Sequence, residues 1–528
     1  MILISSAAYV NSEFQIEFGR IPPAFLPVGN RRIFERQVQT MRAAFPDEAV
    51  YLSLPTTYLL SSKDEIVLTK LGVNILRSKE TLSLAESISS AISEAGSFEG
   101  PLRLLHGDTW LAEVPPAVDL IGIVETQEDY PWEVEDVNTA SESVWCGYFA
   151  FSDIKTISYE LHASAGDFTG AVREYDKKIP LARTKAGGWH DFGHVNTYFQ
   201  SRARLTTERS FNELQIADGC VRKSGNPFEK IRAEENWFRS IPPALRIYTP
   251  QLISSFVEPA SRPHYVLEYL PLPPLNEVFV HGRNPVFYWN RIFSLCASFM
   301  AACAAGLPDS ADVADIEAKS LALVEAKTWR RLEQFLATAG PLHLDSALTI
   351  NGRAVPSLRG IVTACLGQLR AIPCVPGILH GDLCLSNILF DSRSDRIKVI
   401  DPRGLGEQGE ITIVGDLRYD LAKLTHSIVG LYDHIIAGAF TLDAALEGDA
   451  GRFALEIHAD ERIRQVQEVF LERSFPGELT AAGVMPLTIL LFLSMLPLHS
   501  DNTQRQTALL ANALRLYSVF NPSQERFS

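Results

Sequence analysis

Up to about Arg204, apolar positions fall alternately into short solid runs and into stripes at helical spacing. "ILIS" at the start predicts a short buried strand. "RRIFERQVQTMRAAF" sets Ile33, Phe34, Val38 and Met41 on one helical stripe. "AVYLSLP" predicts a strand, "KDEIVLTKLG" a short helix ended by Gly72, and "VNILRS" another strand. "LSLAESISSAISEAG" then predicts a helix and "PLRLLHGD" a strand. This alternation predicts an α/β domain with a mostly parallel sheet covered on both faces. Ligands of such sheets sit at the carboxyl ends of the strands, which is where "LLHGDTW" puts Asp108.

Beyond Arg204 the pattern changes. "SFNELQIADGCVRKSG" predicts two short strands joined by a polar turn. "FEKIRAEENWFRSI" predicts a helix with Ile231, Glu234, Trp237 and Phe238 near one face. "HYVLEYLPLPPL" predicts a strand running into a proline-rich linker. After it most segments read as helices: "NRIFSLCASFMAACAAG", "VADIEAKSLALVEAKTWRRLEQFLATAG" and "PSLRGIVTACLGQL". A small β-rich unit, a hinge and a large helical unit make a two-lobed arrangement. No internal repeat or low-complexity tract interrupts it.

Composition narrows the function classes. A chain of 528 residues suggests about two to four domains. Hydrophobic content of 46% and charged content of 21% are those of ordinary globular domains. A formal net charge of −15 disfavours nucleic acid as a partner. Small nucleotides stay compatible, because a metal ion can offset their charge. The 7 Cys are scattered singly with no C-x-x-C pair, which fits a reducing compartment and gives no zinc pattern. "MILISSAAYVNSEF" lacks a basic leader and a small-residue cleavage site, so no signal peptide is expected and the expected location is cytoplasmic. The longest apolar run, "MPLTILLFLSMLPL", is too short for a bilayer and predicts a buried helix rather than a membrane span.

"ILHGDLCLSNILFDSRSDRIKVIDPRG", Ile378 to Gly404, concentrates the candidate chemistry. Asp382 and Asn387 share a loop before the strand "ILF". Asp401 ends the strand "IKVI", and the polar turn "DSRSDR" makes the two strands a hairpin that brings the three residues together. Phosphoryl transfer needs a carboxylate that orients or deprotonates the acceptor hydroxyl, and Asp382 can do that. It also needs hard oxygen ligands for Mg²⁺ on the ATP phosphates, and Asn387 and Asp401 can supply them. His380 is expected to brace the catalytic loop rather than to transfer protons.

These segments resemble the catalytic and metal-binding segments of the aminoglycoside phosphotransferase and choline kinase family of small-molecule kinases. Gly381 stands where protein kinases have Arg, and "DPRG" stands for D-F-G. "VGDLRYDLAKLTHSIVG" resembles the helix that follows the metal segment, with Asp416 and Asp420 as supporting acids. The resemblance implies a two-lobed protein-kinase-like fold from about Ser210 onward, with ATP and Mg²⁺ and with Arg403 as a substrate-binding candidate. It also implies an ATP-binding Lys on a small-lobe strand and a Glu on the next helix. Lys223 is the first, with Arg222 its competitor. Glu234 is the second, with Glu235 its competitor. The adenine hinge falls at Glu268, Tyr269 and Leu270, where backbone groups do the binding.

A second resemblance covers about residues 1–205. "PPAFLPVGNRRIFERQ" is similar to the "P-K-A-L-L-P-V-G-x-K-P-L-I-E-Y-Q" segment of sugar-1-phosphate nucleotidylyltransferases. "LLHGDTWL" resembles that family's strand-end G-D, and "GGWHDFGHVNTYFQSR" its "W-x-D-I-G-T-P-x-x-Y" segment. The resemblance implies a Rossmann-like nucleotidyltransferase fold of the GT-A-like type, Asp108 and Asp191 as metal ligands, and Gly147 in "VWCGYFAF" as a substrate-binding glycine. Two features depart from it. "SSAAYVNSEFQIEFGR" lacks the Gly-rich loop whose amides hold nucleotide phosphates, and Pro23 replaces the family's Lys. Lys185 and Arg31 are the candidate cations for compensating, and nothing in the sequence shows that they do. The domain is thus either a working transferase using CTP, UTP or GTP, or an inactive or repurposed one.

The expected organisation is a nucleotidylyltransferase-like domain over 1–205, a kinase small lobe over 206–272 and a helical kinase lobe over 273–528. The expected activity is a fused one, with ATP phosphorylating a sugar or related alcohol and the product then coupled to a nucleotide. Such activated sugars feed capsule, lipopolysaccharide or wall synthesis. The alternatives are an antibiotic-modifying or choline-type kinase with an inactive first domain, and a scaffold of two degenerate catalytic folds.

Overall fold

The computed structural model describes residues 1–96, 100–128, 130–137, 141–209, 214–256, 263–406 and 409–521. Contacts divide the chain into two units. The first is Met1–Leu205 with His281–Asn284, and the second is Thr206–Val280 with Pro285–Ser528.

The first unit begins with β1 (Ile2–Ser5), α1 (Ser12–Phe18), α2 (Ile33–Ala44), β2 (Val50–Pro55), α3 (Ser62–Lys70), β3 (Asn74–Ser78), α4 (Leu84–Ala95) and β4 (Leu102–His106). These are the elements that the apolar pattern predicts, with α1 added. Each strand up to β4 is followed by a helical return, so β3, β2, β1 and β4 lie side by side and parallel, in that order. Helix α4 shows why such returns form. Ser83 and Glu86 close a capping box at its start. Ala85, Ile88, Ala91 and Ile92 recur on one face and bury in a core with Leu3, Leu104 and Phe149, each large side chain contributing about 1.5–3 kcal/mol.

The sheet is less parallel than the pattern predicts. After β4 come β5 (Thr109–Glu113), β6 (Leu120–Thr126), β7 (Val134–Val137) and β8 (Glu142–Phe151), with no helix between them. Without a crossover helix the chain must return antiparallel, so β8 pairs antiparallel with β4, β6 and β7. Helices α5 (Ile154–Ala163) and α6 (Phe168–Lys178) lead to β9 (Ala182–Lys185), which is parallel to β6. β10 (Gly187–Asp191) then leaves the sheet to form a ribbon with β5, and α7 (Val195–Arg209) follows.

The second unit opens with a four-stranded antiparallel sheet ordered β11 (Leu214–Ala217), β12 (Cys220–Ser224), β14 (His264–Glu268), β13 (Leu252–Phe256). Ser210–Glu213, expected to open the first of these strands, lie outside the described residues. Helix α8 (Phe228–Ser240) buries Ile231, Glu234, Trp237 and Phe238, the predicted face, and Glu235 with them. Beyond β14 the unit is mostly helical, with long helices at Val286–Ala305, Val313–Leu336, Leu358–Arg370 and Thr503–Phe520. The run from Met485 forms the buried helix Met485–Met495, and among the described residues no helix is long and apolar enough to cross a membrane.

The helical region also holds a sheet that the pattern does not predict. Ala347–Ile350, Arg353–Val355, Phe440–Glu447 and Ala450–Ile457 form four strands. Two of them are mainly exposed, so their sequences carry little apolar alternation.

Candidate functional site

In the second unit the strand Pro376–Ile378 runs antiparallel to Val414–Asp416 and delivers the chain to His380. A single helical turn, Leu385–Asn387, leads into the hairpin Ile388–Asp391 with Arg396–Val399, and Asp401 follows. Asp401 has a φ of 57°, the left-handed region that non-glycine residues seldom adopt. Gly381 has a φ of 78°, and a Cβ there would lie 2.8 Å from Cβ of Arg403. Glycine at that position is therefore a packing requirement.

Asp382 lies at a rim that is part-exposed. Its Oδ1 is 2.8 Å from Nζ of Lys423, and its Oδ2 accepts from Nδ2 of Asn387 at 3.0 Å. Burial alone would raise its pKa, but Lys423, His380 and Asn387 outweigh it and bring it down to about 2. The same Asn387 nitrogen bonds the Asp382 carbonyl at 2.9 Å. Among the described residues that leaves the amide oxygen of Asn387 facing a single weak contact, from Ser386 at 3.4 Å. Burial lowers the pKa of Lys423 in turn, but Asp382, Tyr419 and Cys384 together outweigh it and raise it.

His380 is fully buried. Its Nδ1 accepts the Asp382 N–H at 3.3 Å, so its Nε2 is the donor to the Ile400 carbonyl at 3.0 Å. Burial lowers its pKa to about 4, against the nearby Asp382. The ring thus spans the loop from Asp382 to the strand before Asp401, a bracing position. Asp420 accepts the N–H groups of His380 and Gly381, both at 2.8 Å. Asp416 caps the following helix through Arg418 N at 3.0 Å and pairs with the Arg418 side chain.

Lys223 on β12 reaches Glu234 Oε2 at 2.8 Å and Asp401 Oδ1 at 2.9 Å. Tyr265, its register partner on β14, donates to Glu234 at 2.7 Å. Arg222 faces outward and Glu235 lies 3.6 Å from Arg239 instead. Glu268 ends β14 exposed, exchanging hydrogen bonds with the Gln251 backbone through its N–H (2.9 Å) and its carboxylate (3.2 Å). Tyr269 N–H bonds the Gly219 carbonyl, and the Leu270 carbonyl is taken by Leu272 N–H. Arg403 N–H binds the His380 carbonyl at 2.8 Å. Lys423 and Tyr265 are the members that sequence reasoning missed. A lysine in the apolar helix "LRYDLAKLTHSI", on a face with little exposure, was the available signal.

In the first unit the strand order reverses about β1, and Asp108 follows β4 at that crevice. The β5–β10 ribbon pairs Asp191 with Thr109, and Phe192 N–H bonds the Asp108 carbonyl at 2.8 Å. Gly193 lies between the two carboxylates: a Cβ on it would be 2.9 Å from Asp108 Oδ2 and 3.5 Å from Asp191 Oδ1. Burial first, then the charge of Asp108, raises Asp191 to about 7, although Thr197 donates to it. Gly147 has a φ of 84°, and a Cβ there would sit 2.7 Å from Thr109 Oγ1, so only glycine lets β8 approach.

The stretch that lacks a glycine cluster folds as α1, capped by Asn11 and ended by Gly19, with Phe14 and Phe18 packed edge-on to Tyr198. Arg20 stacks over Tyr9 at 4.0 Å and pairs with Glu80 at 3.0 Å. Pro23 begins a short helical turn. Lys185 pairs with Glu125 at 2.7 Å and Arg31 is exposed. Among the described residues no group of three or more His, Cys, Asp or Glu could hold a metal ion. Asp401 with Asn387, and Asp108 with Asp191, are pairs of hard oxygen donors. Such pairs suit Mg²⁺, which takes one or two protein carboxylates and completes its shell with phosphates and water.

No family model matches the sequence, and no curated protein matches it. Among solved structures, the nucleoside-diphosphate-sugar pyrophosphorylase from Vibrio cholerae aligns at 14% identity, covering 38% of this chain and 99% of its own, with a TM-score of 0.29. The wild-type aminoglycoside 2'-phosphotransferase-IIIa in its GDP complex aligns at 13% identity over 60% of this chain and 96% of its own, with a TM-score of 0.35. The macrolide 2'-phosphotransferase MphH from Brachybacterium faecium aligns at 19% identity over 58% and 86%, with a TM-score of 0.32.

Proposed function

We propose that the second unit is an ATP-dependent phosphotransferase acting on the hydroxyl of a small molecule, a sugar, polyol or amino alcohol. Its small lobe spans 206–272 and its helical lobe 273–528. One observation carries this reading. Three separate segments bring Lys223, Glu234 and Asp401 into one chain of ion pairs, and the same loop-and-hairpin carries Asp382 and Asn387. A structural ion-pair network would not need Lys223 to bridge a buried Glu and a part-exposed Asp in a left-handed conformation.

The residues divide the work by charge. Glu234 fixes the Lys223 ammonium, which meets the ATP phosphates. Asn387 and Asp401 hold Mg²⁺, and the metal when bound neutralises charge on the transferring phosphoryl group. Asp382, ionised and steadied by Lys423, receives the acceptor hydroxyl. With a pKa of about 2 it is a weak base, so its main task is orientation, which a loose phosphoryl-transfer transition state mostly requires. Glu268 and Leu270 flank the backbone of the adenine hinge, and Arg403 faces the acceptor.

For the first unit, the paired Asp108 and Asp191 at the strand-order reversal support a metal-dependent nucleotidylyltransferase, with Gly147 near the substrate and CTP, UTP or GTP as donor. In series the two would make a nucleotide-activated building block for a capsule, lipopolysaccharide or wall polymer in the cytoplasm. Mass spectrometry after incubation with ATP, Mg²⁺ and a panel of sugars, polyols, choline and aminoglycosides tests the first step. Calorimetry tests the metal: Asp401→Ala and Asn387→Ala should each lose Mg²⁺-dependent ATP binding. Unchanged metal dependence in Asp401→Ala would reduce the segment after the hairpin to a turn.

A further inference from the structure

Lys423, which pairs with Asp382, is one of a group of cations. Tyr419 lies one helical turn before it on the same helix, Leu417–Ile428. The Tyr419 hydroxyl accepts from Lys327 Nζ at 3.0 Å, and the Arg403 guanidinium lies 5.9 Å from the Tyr419 ring centroid. Arg331, one turn after Lys327 on Val313–Leu336, gives its Nη1 to the Ser494 carbonyl at 3.2 Å. Lys327, Arg331, Arg403 and Lys423 thus surround one phenol. Among the described residues only Lys423 has a carboxylate partner, Asp382. Nη1 of Arg403 is buried without a hydrogen-bond partner among the described residues. Arg403 also lines a cavity of about 210 Å³. Three acids line that cavity as well, and two of them are engaged: Asp312 caps its helix, and Asp315 pairs at 2.6 Å with Lys319, which also lines the cavity. The third, Glu410, faces Gly406.

We propose that the acceptor carries an acidic group, a carboxylate or a phosphate, beside the hydroxyl that is phosphorylated. This rests on the kinase reading of the second unit. Desolvated like charges repel and are costly unless an opposite charge joins them. Within the protein that opposite charge falls short, because Asp382 is committed to Lys423 and to the acceptor hydroxyl. The field is strong enough that Tyr419, although burial works against its ionisation, is brought down to about 7 by Lys327, Lys423 and Arg403. Lys327 itself is lowered by burial, with Arg403 and Lys423 adding to the effect. An anion beside Lys327 and Arg403 would give Arg403 Nη1 its missing acceptor and place its own hydroxyl toward Asp382. An ammonium group, as on an aminoglycoside or choline, would meet repulsion in the same place.

Inorganic phosphate, titrated by calorimetry into the full-length protein, is the first probe. It should bind the free protein and also protein saturated with Mg²⁺ and a non-hydrolysable ATP analogue. Lys327→Gln and Arg403→Gln should each weaken phosphate binding about tenfold or more. Lys327→Arg should restore most of it, and analogue binding should hold in all three variants. Analogue binding thus reports on folding and on the kinase reading, while phosphate binding reports on the acceptor charge. Phosphate binding that vanishes once the analogue is bound would assign these cations to the nucleotide and overturn the proposal. Failure of phosphate to bind at all would also overturn it. In a second arm, glucose, glucosamine and glucuronate are compared by ADP release with glycerol and glycerate. The acids should be turned over ahead of their neutral and amino counterparts, and a preference for glucosamine over glucuronate sinks the idea.

Discussion

Asp382 is held by two contacts that act in the same direction. Lys423 and Asn387 both favour the carboxylate over the acid, and both fix its plane. Asp382→Asn keeps the shape and removes the charge, so turnover should fall by about 10²–10⁴ while ATP binding persists. Full turnover on the true acceptor would end its assignment. His380 gives a second residue-scale outcome, on stability. Buried and neutral, it titrates near 4 when folded, against 6.5 for an unperturbed ring. Between those values the unfolded chain takes up a proton that the native state refuses. The contribution is therefore fully present above about pH 6.5 and lost as pH falls toward 4, by up to about 1.4 kcal/mol per pH unit. Urea unfolding across that window should show the decline, and His380→Gln should flatten it. A slope unchanged by the substitution would mean that His380 is protonated in the native state.

At the scale of elements, legibility followed the range of the contact. The helical stripe Ile33, Phe34, Val38, Met41 and the turn "DSRSDR" are local patterns, and each appears as the predicted helix and hairpin. Helix α8 is similar: the spacing of Ile231, Glu234, Trp237 and Phe238 located its buried face, and so the meeting of Glu234 with Lys223. What depended on distant pairing was not legible. The sheet of Ala347–Ile350 with Ala450–Ile457 joins strands about a hundred residues apart, and two of its four strands are mainly exposed and leave little alternation to read. Lys423 was missed for a related reason, since only the folded helix shows that it faces Asp382. Helix α8 is fastened to the segment that leads into His380 and Asp382 by Trp237, whose Nε1 donates to the Leu379 carbonyl at 2.8 Å. Its ring packs edge-on to His380 at 5.6 Å. Trp237→Phe keeps most of the packing but strands that carbonyl, so unfolding free energy should drop by about 1–3 kcal/mol in urea titrations. A drop near zero would show that the helix is held by its apolar face alone.

At the scale of the whole molecule, the two units carry similar donor pairs in different electrostatic settings. In the second, Lys223 and Lys423 stand beside Asp401 and Asp382. In the first, Asp108 and Asp191 face each other, while Arg20 is engaged by Glu80 and Lys185 by Glu125. Pro23 begins a short helical turn, and α1 occupies the stretch before it. With Arg20 and Lys185 already engaged, a nucleotide there would lean on its metal for charge compensation. Asp108→Ala should therefore abolish any nucleotide-linked product, because it removes one of the two carboxylates of the donor pair. It should spare ATP-dependent phosphorylation, whose candidate ligands all belong to the second unit. The kinase product is purified and offered with CTP, UTP or GTP, and released pyrophosphate is followed for wild type and variant. Loss of both activities in Asp108→Ala would mean that the two sites are not independent. If wild-type protein releases no pyrophosphate with any of the three, the first unit is not a working transferase, and the two-step reading reduces to a kinase that carries a domain for binding or support.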